Sequence, residues 1–173
     1  MHSGVNLFIR PYQDADERAV VGVWYRSGRA AYAFLPLWQA LTLDRAGEIF
    51  RDVIRAQGDI WVGTVNEQIV AYLAMEGSYI ARMYVEPSEW RKGRGTGLIV
   101  FAKSLSPDGL ELHTHQENRA ARSFYEKHGF KAVKFGTSPP PESVPDVEYH
   151  WRPENKGLQT DRASQPSLLQ RGG

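Results

Sequence analysis

The stretch Trp90-Arg91-Lys92-Gly93-Arg94-Gly95-Thr96-Gly97-Leu98 has residue types suited to holding an anion. Its three glycines leave bare backbone N–H groups able to approach a phosphate, and three cations stand among or just before them. A helix is predicted from Leu98 onward, and its positive dipole end points at the same spot. The expected chemistry is the binding of a phosphorylated ligand. The two familiar phosphate loops fit poorly. A P-loop needs a Lys-Ser or Lys-Thr pair after its glycines, and none follows here. The dinucleotide fingerprint needs another glycine spacing and an early βαβ unit, whereas Gly93, Gly95 and Gly97 lie mid-chain. A flexible surface turn is the plain alternative.

The rest of the chain bounds what such a loop can serve. At 173 residues it is one domain by size, and 42% hydrophobic residues suffice for a core. A net charge of +1 offers no general surface for nucleic acid or membrane. Cysteine is absent, which excludes disulfides, thiolate metal sites and a cysteine nucleophile. No metal site is expected. No apolar run approaches the ~20 residues of a membrane span. The opening Met-His-Ser-Gly has no signal-peptide core. A cytoplasmic protein is therefore expected.

The elements that must position the loop can be read from periodicity. Val5 to Tyr12 alternates as a strand. Asp14 can cap a helix carrying Ala19, Val20, Val23, Trp24 and Ser27 on one face. Ala31 to Pro36 is aromatic and helix-breaking at its end. Leu43 to Gln57 reads as a second helix, closed by Gly58-Asp59. Three strands follow, Ile60 to Val65, Gln68 to Met75 and Tyr79 to Val85, the first two joined through Asn66-Glu67. After the loop come a helix, a strand from Leu110 to His115, and a helix that Asn118 can cap and Gly129 can stop. Strands at Phe130 to Phe135 and Val147 to Trp151 flank a proline-rich loop from Thr137 to Pro145. Residues 1–153 are expected to form one α/β domain with a mixed sheet, and 154–173 a polar, disordered tail.

Two strings in order now point one way. Tyr79-Ile-Ala-Arg-Met-Tyr-Val-Glu-Pro87 leads into the glycine loop. One helix and one strand later comes Asn118-Arg-Ala-Ala-Arg-Ser-Phe-Tyr-Glu-Lys-His-Gly-Phe130. Together they make the chain, over roughly residues 5–151, resemble the GNAT superfamily of acyl-CoA N-acyltransferases. The resemblance implies a mixed, mostly antiparallel sheet of six to seven strands flanked by about four helices, with acetyl-CoA as cosubstrate. In that family the pyrophosphate rests on backbone amides of the loop. The register that fits best puts Gly93 and Gly95 on the loop's small positions, followed by Thr96-Gly97. It leaves Trp90 where the family prefers Gln or Arg. Another register puts Lys92 there but moves the loop away from Pro87. Arg91, Lys92 and Arg94 can neutralise phosphates in either.

The resemblance also implies roles elsewhere. Met83, Tyr84 and Val85 align with the strand whose backbone pairs with the pantetheine arm, much as in strand addition. Asn118 aligns with a CoA contact, and as a helix N-cap it also has a structural explanation. Tyr125 aligns with the usual general acid, since a phenol of pKa near ~10 can protonate the leaving thiolate. Packing in the core is its rival role. For the base, Glu111, His113 and His115 alternate along one strand and share a face. His113 is the candidate base; His115, Glu76 acting through a water chain, and water with no dedicated base are the alternatives.

The acceptor is expected to be an amine of a small molecule or peptide. Its pocket should lie near the aromatic N-terminal region, with Trp24, Tyr25, Tyr32, Phe34, Leu35, Trp38 and Leu41. The family often forms homodimers, and a homodimer is one expected assembly. Two other functions compete with acetyl transfer: a non-catalytic acyl-CoA sensor, and an unrelated phosphate- or nucleotide-binding domain.

Overall fold

The computed structural model describes residues 6–154. Seven strands form one sheet: β1 (Phe8–Pro11), β2 (Asp59–Val65), β3 (Gln68–Glu76), β4 (Tyr79–Val85), β5 (Leu110–His115), β6 (Lys131–Thr137) and β7 (Pro145–Trp151). Five α-helices accompany them: α1 (Glu17–Ala31), α2 (Pro36–Ala40), α3 (Leu43–Ile49), α4 (Arg94–Leu105) and α5 (Arg119–Lys127). The strand order is β1-β2-β3-β4-β5-β7-β6. Every neighbouring pair is antiparallel except β4 and β5.

The sheet has a core on each face. On one, Val20, Val23 and Trp24 of α1 pack with Trp38, Ala46 and Phe50 over Val62, Tyr72 and Ala74. On the other, Leu98, Ile99 and Ala102 of α4 and Tyr125 of α5 cover Ala71, Leu73 and Leu112. Both faces of β3 are thus covered, which is why its run from Val70 to Met75 is buried throughout.

Local chemistry sets the boundaries. The β2–β3 hairpin turns at Asn66 and Glu67, both at positive φ (49° and 66°), a conformation that matches the twist of the flanking strands. Asn118 caps α5 by accepting from the Ala121 amide at 3.1 Å, and Gly129 leaves it at φ 86°. Asp16 precedes α1, accepts the Gln13 amide at 2.8 Å, and takes a bidentate pair from Arg10 at 2.7 and 2.9 Å.

The predicted order of elements is recovered with one addition and several moved ends. Pro36, read as a breaker, instead opens α2 at its first turn, where a missing N–H costs nothing. The helix read over Leu43–Gln57 is α only to Ile49 and then π-helical from Phe50 to Ile54. Strand β1 spans Phe8–Pro11 within the expected Val5–Tyr12, and Val5 itself lies outside the described residues. So does the expected tail from residue 155 onward.

Candidate active site

A β-bulge bends the strand on which the site is built. The β3–β4 register passes from Ala74–Arg82 to Met75–Ile80, which leaves Ala81 as an extra residue on β4. Strands β4 and β5 then meet only at their start. Tyr79 pairs with Glu111, and the Glu111 amide donates to the Ser78 carbonyl at 3.1 Å. Beyond that point they separate, and the β5-facing backbone edge of Met83, Tyr84 and Val85 has no strand partner among the described residues. Alternation sends Met83 and Val85 toward α4 and Tyr84 toward α1. This segment was singled out by the sequence; the bulge that opens it was not.

At the end of this edge stands the glycine loop. Gly93 is the N-cap of α4 at φ 79°, without a side-chain cap. The first intrahelical bond near the N-terminus runs from the Gly97 amide to the Gly93 carbonyl at 3.1 Å. The amides of Arg94, Gly95 and Thr96 precede it and point out of the helix end, a cradle for an anion. Gly95 also has a packing reason: a Cβ there would lie 3.1 Å from the Phe124 ring of α5. The cations are partly committed to the protein. Arg94 donates to Glu89 at 2.9 Å and Lys92 reaches the same carboxylate at 3.4 Å. Arg94 first, and then Lys92, hold the Glu89 carboxyl below its usual range. Arg91 is exposed at φ 62° and has no ion pair among the described residues. Trp90 donates its indole N–H to the Val85 carbonyl at 2.7 Å and so ties the loop to the end of β4.

Helix α5 brings Tyr125 beneath the splay. The side chain is 8% exposed and packs against Phe124, Phe130 and Tyr149. Burial pushes its phenol well above 10, with the hydroxyls of Tyr32 and Tyr79 adding to the shift, so it holds its proton across the neutral range. Asn118, whose carbonyl caps α5, also helps stabilise the buried Tyr32 phenolate form against the larger effect of burial.

On the α1 side the splay opens into a cleft of about 1020 Å³. Its apolar wall is Trp24, Tyr32, Leu37, Trp38 and Leu41, with Trp38 edge-on to Trp24 and stacked on Tyr32. Of the aromatic N-terminal residues expected at the pocket, Trp24, Tyr32, Trp38 and Leu41 line the cleft, and Tyr25, Phe34 and Leu35 do not. The polar wall comes from β4, β5 and the β6–β7 loop. Both His113 and His115 face the cleft, and their surroundings differ. His113 sits at the rim with 43% of its side chain exposed; its Nδ1 meets the Tyr79 hydroxyl at 3.0 Å and its Nε2 lies 3.7 Å from Glu148. His115 is covered, its Nε2 2.9 Å from Glu142 and its ring 4.7 Å from that of Tyr32. The bond from His115 is the main reason the Glu142 carboxyl stays below its ordinary range. Glu76, at the end of β3, is exposed and outside the lining, and Glu111 is held at the far end of β5 by Arg152 at 2.9 Å.

Tyr79, Arg82, Glu142 and Glu148 line the cleft, and the sequence reading did not single them out. Alternation along β4 held a signal for Arg82 and Tyr84. Nothing in the proline-rich loop marked Glu142 as a cleft residue, because its placement depends on how β6 and β7 pair.

Known proteins similar to this chain share one family description and one fold. Residues 56–132 match the family model described as an acetyltransferase (GNAT) domain. Over 128 residues the chain is 27% identical to peptidyl-lysine N-acetyltransferase YiaC of Escherichia coli K12, an alignment covering 72% of this chain and 84% of that protein. A GCN5-related N-acetyltransferase from Rhodopseudomonas palustris superposes with a TM-score of 0.72 at 16% identity, over 88% of this chain and 99% of that one. The PaiA N-acetyltransferase of Thermoplasma acidophilum, solved with coenzyme A, superposes at 0.62 with 19% identity, over 85% and 99%.

Proposed function

We propose, for a chain that belongs to the GNAT superfamily of acyl-CoA N-acyltransferases, that it moves the acetyl group of acetyl-CoA to a primary amine by direct attack in a ternary complex. The acceptor is an amine of a small molecule, a peptide or a protein. The relative named for peptidyl-lysine favours a lysine side chain. The observation that carries this reading is the splay of β4 from β5. One open backbone edge there joins the bare N-terminus of α4 on one side of the sheet to the cleft on the other.

When bound, acetyl-CoA supplies the thioester, and the chain supplies position and protons. The amides of Arg94, Gly95 and Thr96 and the exposed Arg91 suit the pyrophosphate, with Lys92 adding charge. The edge of Met83–Val85, whose Val85 carbonyl already accepts the Trp90 indole N–H, suits the amides of the pantetheine arm. Asn118 serves mainly as the α5 cap beside that arm. Tyr125 acts as the general acid, its phenol kept protonated by burial until a thiolate needs the proton. His113 serves as the base through Tyr79. The Tyr79 hydroxyl, turned toward the cleft, passes a proton from the ammonium to Nδ1, and Glu148 steadies the imidazolium that results. The neutral amine then attacks. The protein acts in the cytoplasm, as a monomer or a homodimer.

Calorimetry with acetyl-CoA, using ATP and NAD as controls, tests the cofactor. Selective micromolar binding supports the reading, and tighter binding of ATP or NAD would overturn it. Binding without turnover on a panel of amines and lysine peptides would favour the sensor instead.

A further inference from the structure

We propose that the cleft holds a subsite for a carboxylate of the acceptor, formed by the lining residues Arg82 and Trp24 and by Tyr72, which is buried and outside the lining. It rests on the acetyl-transfer reading only in assigning the carboxylate to the acceptor. Arg82 lies opposite Ala74 on the face of β4 that looks toward α1, and its guanidinium sits 5.7 Å from the Trp24 ring centroid. Tyr72 lies on the same face, stacked on Tyr84 at 5.7 Å, with the Arg82 charge within reach of its hydroxyl.

Three hydrogen-bond donors on this face of the sheet have no partner among the described residues. Among the described residues, five buried side-chain polar atoms lack a hydrogen bond, and three of them are Arg82 Nε, Trp24 Nε1 and the Tyr72 hydroxyl. Buried donors are almost always bonded, so this clustering calls for an acceptor group from outside the chain. A guanidinium cannot shed its charge, and Arg82 has no ion pair among the described residues. The nearby acid, Glu142, is bonded to His115. One cation and two neutral donors match the single charge and planar shape of a carboxylate. A phosphate dianion would bring more negative charge up against Glu142. The subsite lies on the opposite face of the sheet from the α4 loop, so it is separate from the pyrophosphate cradle. Such a subsite fits an acceptor that carries a carboxylate besides its amine. That carboxylate belongs either to a free amino acid or to an acidic residue beside a lysine.

The test follows the Trp24 indole N–H in ¹⁵N-labelled full-length protein saturated with CoA, its signal assigned through Trp24→Phe. Two pairs of probes are titrated: L-lysine against L-lysinamide, and an acetylated Glu-Lys amide against its Gln-Lys counterpart. The expected result is a saturable shift with the carboxylate member of at least one pair, about tenfold tighter than its amide and abolished by Arg82→Gln. The responding pair identifies the source. No saturable shift with either carboxylate, equal shifts with the amides, or tighter binding of inorganic phosphate would overturn the subsite. Tyr72→Phe removes one donor and keeps the ring, so it should weaken the carboxylate probe about three- to tenfold without lowering the melting temperature. A lowered melting temperature with unchanged probe affinity would mean the hydroxyl is structural. Acetyl-CoA calorimetry on CoA-free samples of the same protein separates the two claims, since failure there removes the transfer reading and leaves the indole result standing.

Discussion

The Trp90 indole N–H donates to the Val85 carbonyl at 2.7 Å, bridging the start of the glycine loop and the last residue of β4. One aromatic side chain thereby sets the distance between the proposed phosphate cradle and the proposed pantetheine edge. Trp90 is 43% exposed, so its ring contributes little core packing, and its bond is its main structural role.

Trp90→Phe keeps the ring and removes the donor. A hydrogen bond of about 1 kcal/mol net corresponds to about a fivefold change in an equilibrium. Acetyl-CoA affinity should fall about three- to tenfold in calorimetry, with the melting temperature within about 2 °C. Unchanged affinity would mean that the loop holds its place without this tether.

Tyr125→Phe preserves the packing against Phe130 and Tyr149 and removes the proton donor. General-acid catalysis contributes about 10²–10⁴-fold. Turnover on a lysine peptide should drop at least about a hundredfold, with acetyl-CoA affinity within about twofold. Because burial raises the phenol above its usual value, turnover in the parent protein should show no decline from this group up to about pH 10. A full rate in the variant would reduce Tyr125 to packing.

His113→Asn and Tyr79→Phe break the same relay at different points. Each should lower kcat about tenfold or more, and the double variant should be no worse than the more damaging single one. Additive losses would separate the two residues.

Gly28→Ala tests the wall of the cleft. A Cβ on Gly28 would come within 2.1 Å of the Trp38 ring, so α2 must move. Overpacking of this kind costs about 1–3 kcal/mol. The expected outcome is a lower melting temperature together with a raised KM for the amine and an unchanged affinity for acetyl-CoA. A raised KM for acetyl-CoA would place the effect on the wrong face of the sheet.

Asp16 anchors the first helix to β1, and its bond from Arg10 holds its carboxyl below the ordinary value near ~3.9. A carboxyl lowered by folding stabilises the protein above its unfolded pKa, and that contribution disappears as pH falls through the folded value. Asp16→Asn should cost about 1–2 kcal/mol at pH 7, with Arg10 partly exposed and screened. Below about pH 4 the gap in melting temperature should narrow. A gap that stays constant to pH 2 would remove the charge from the explanation.

Much of this protein was legible in one dimension because its signals are local. Periodicity in Val20, Val23, Trp24 and Ser27 marked α1, alternation marked the strands, and the caps at Asn118 and Gly129 act within one turn of their own positions. The loop from Trp90 to Gly97 could be read as an anion cradle because glycines bare the backbone and the first amides of a helix lack intrahelical partners. What tertiary structure alone decided is where strands part and which side chains then face each other. The bulge at Ala81 opens β4 from β5, and the β6–β7 pairing carries Glu142 to His115, 27 positions away in the chain. The β3–β4 pairing and the α1 crossing bring Tyr72, Arg82 and Trp24 to one face of the sheet with donors unbonded. Such contacts depend on register and on packing between distant segments, and no local pattern of residue types encodes them.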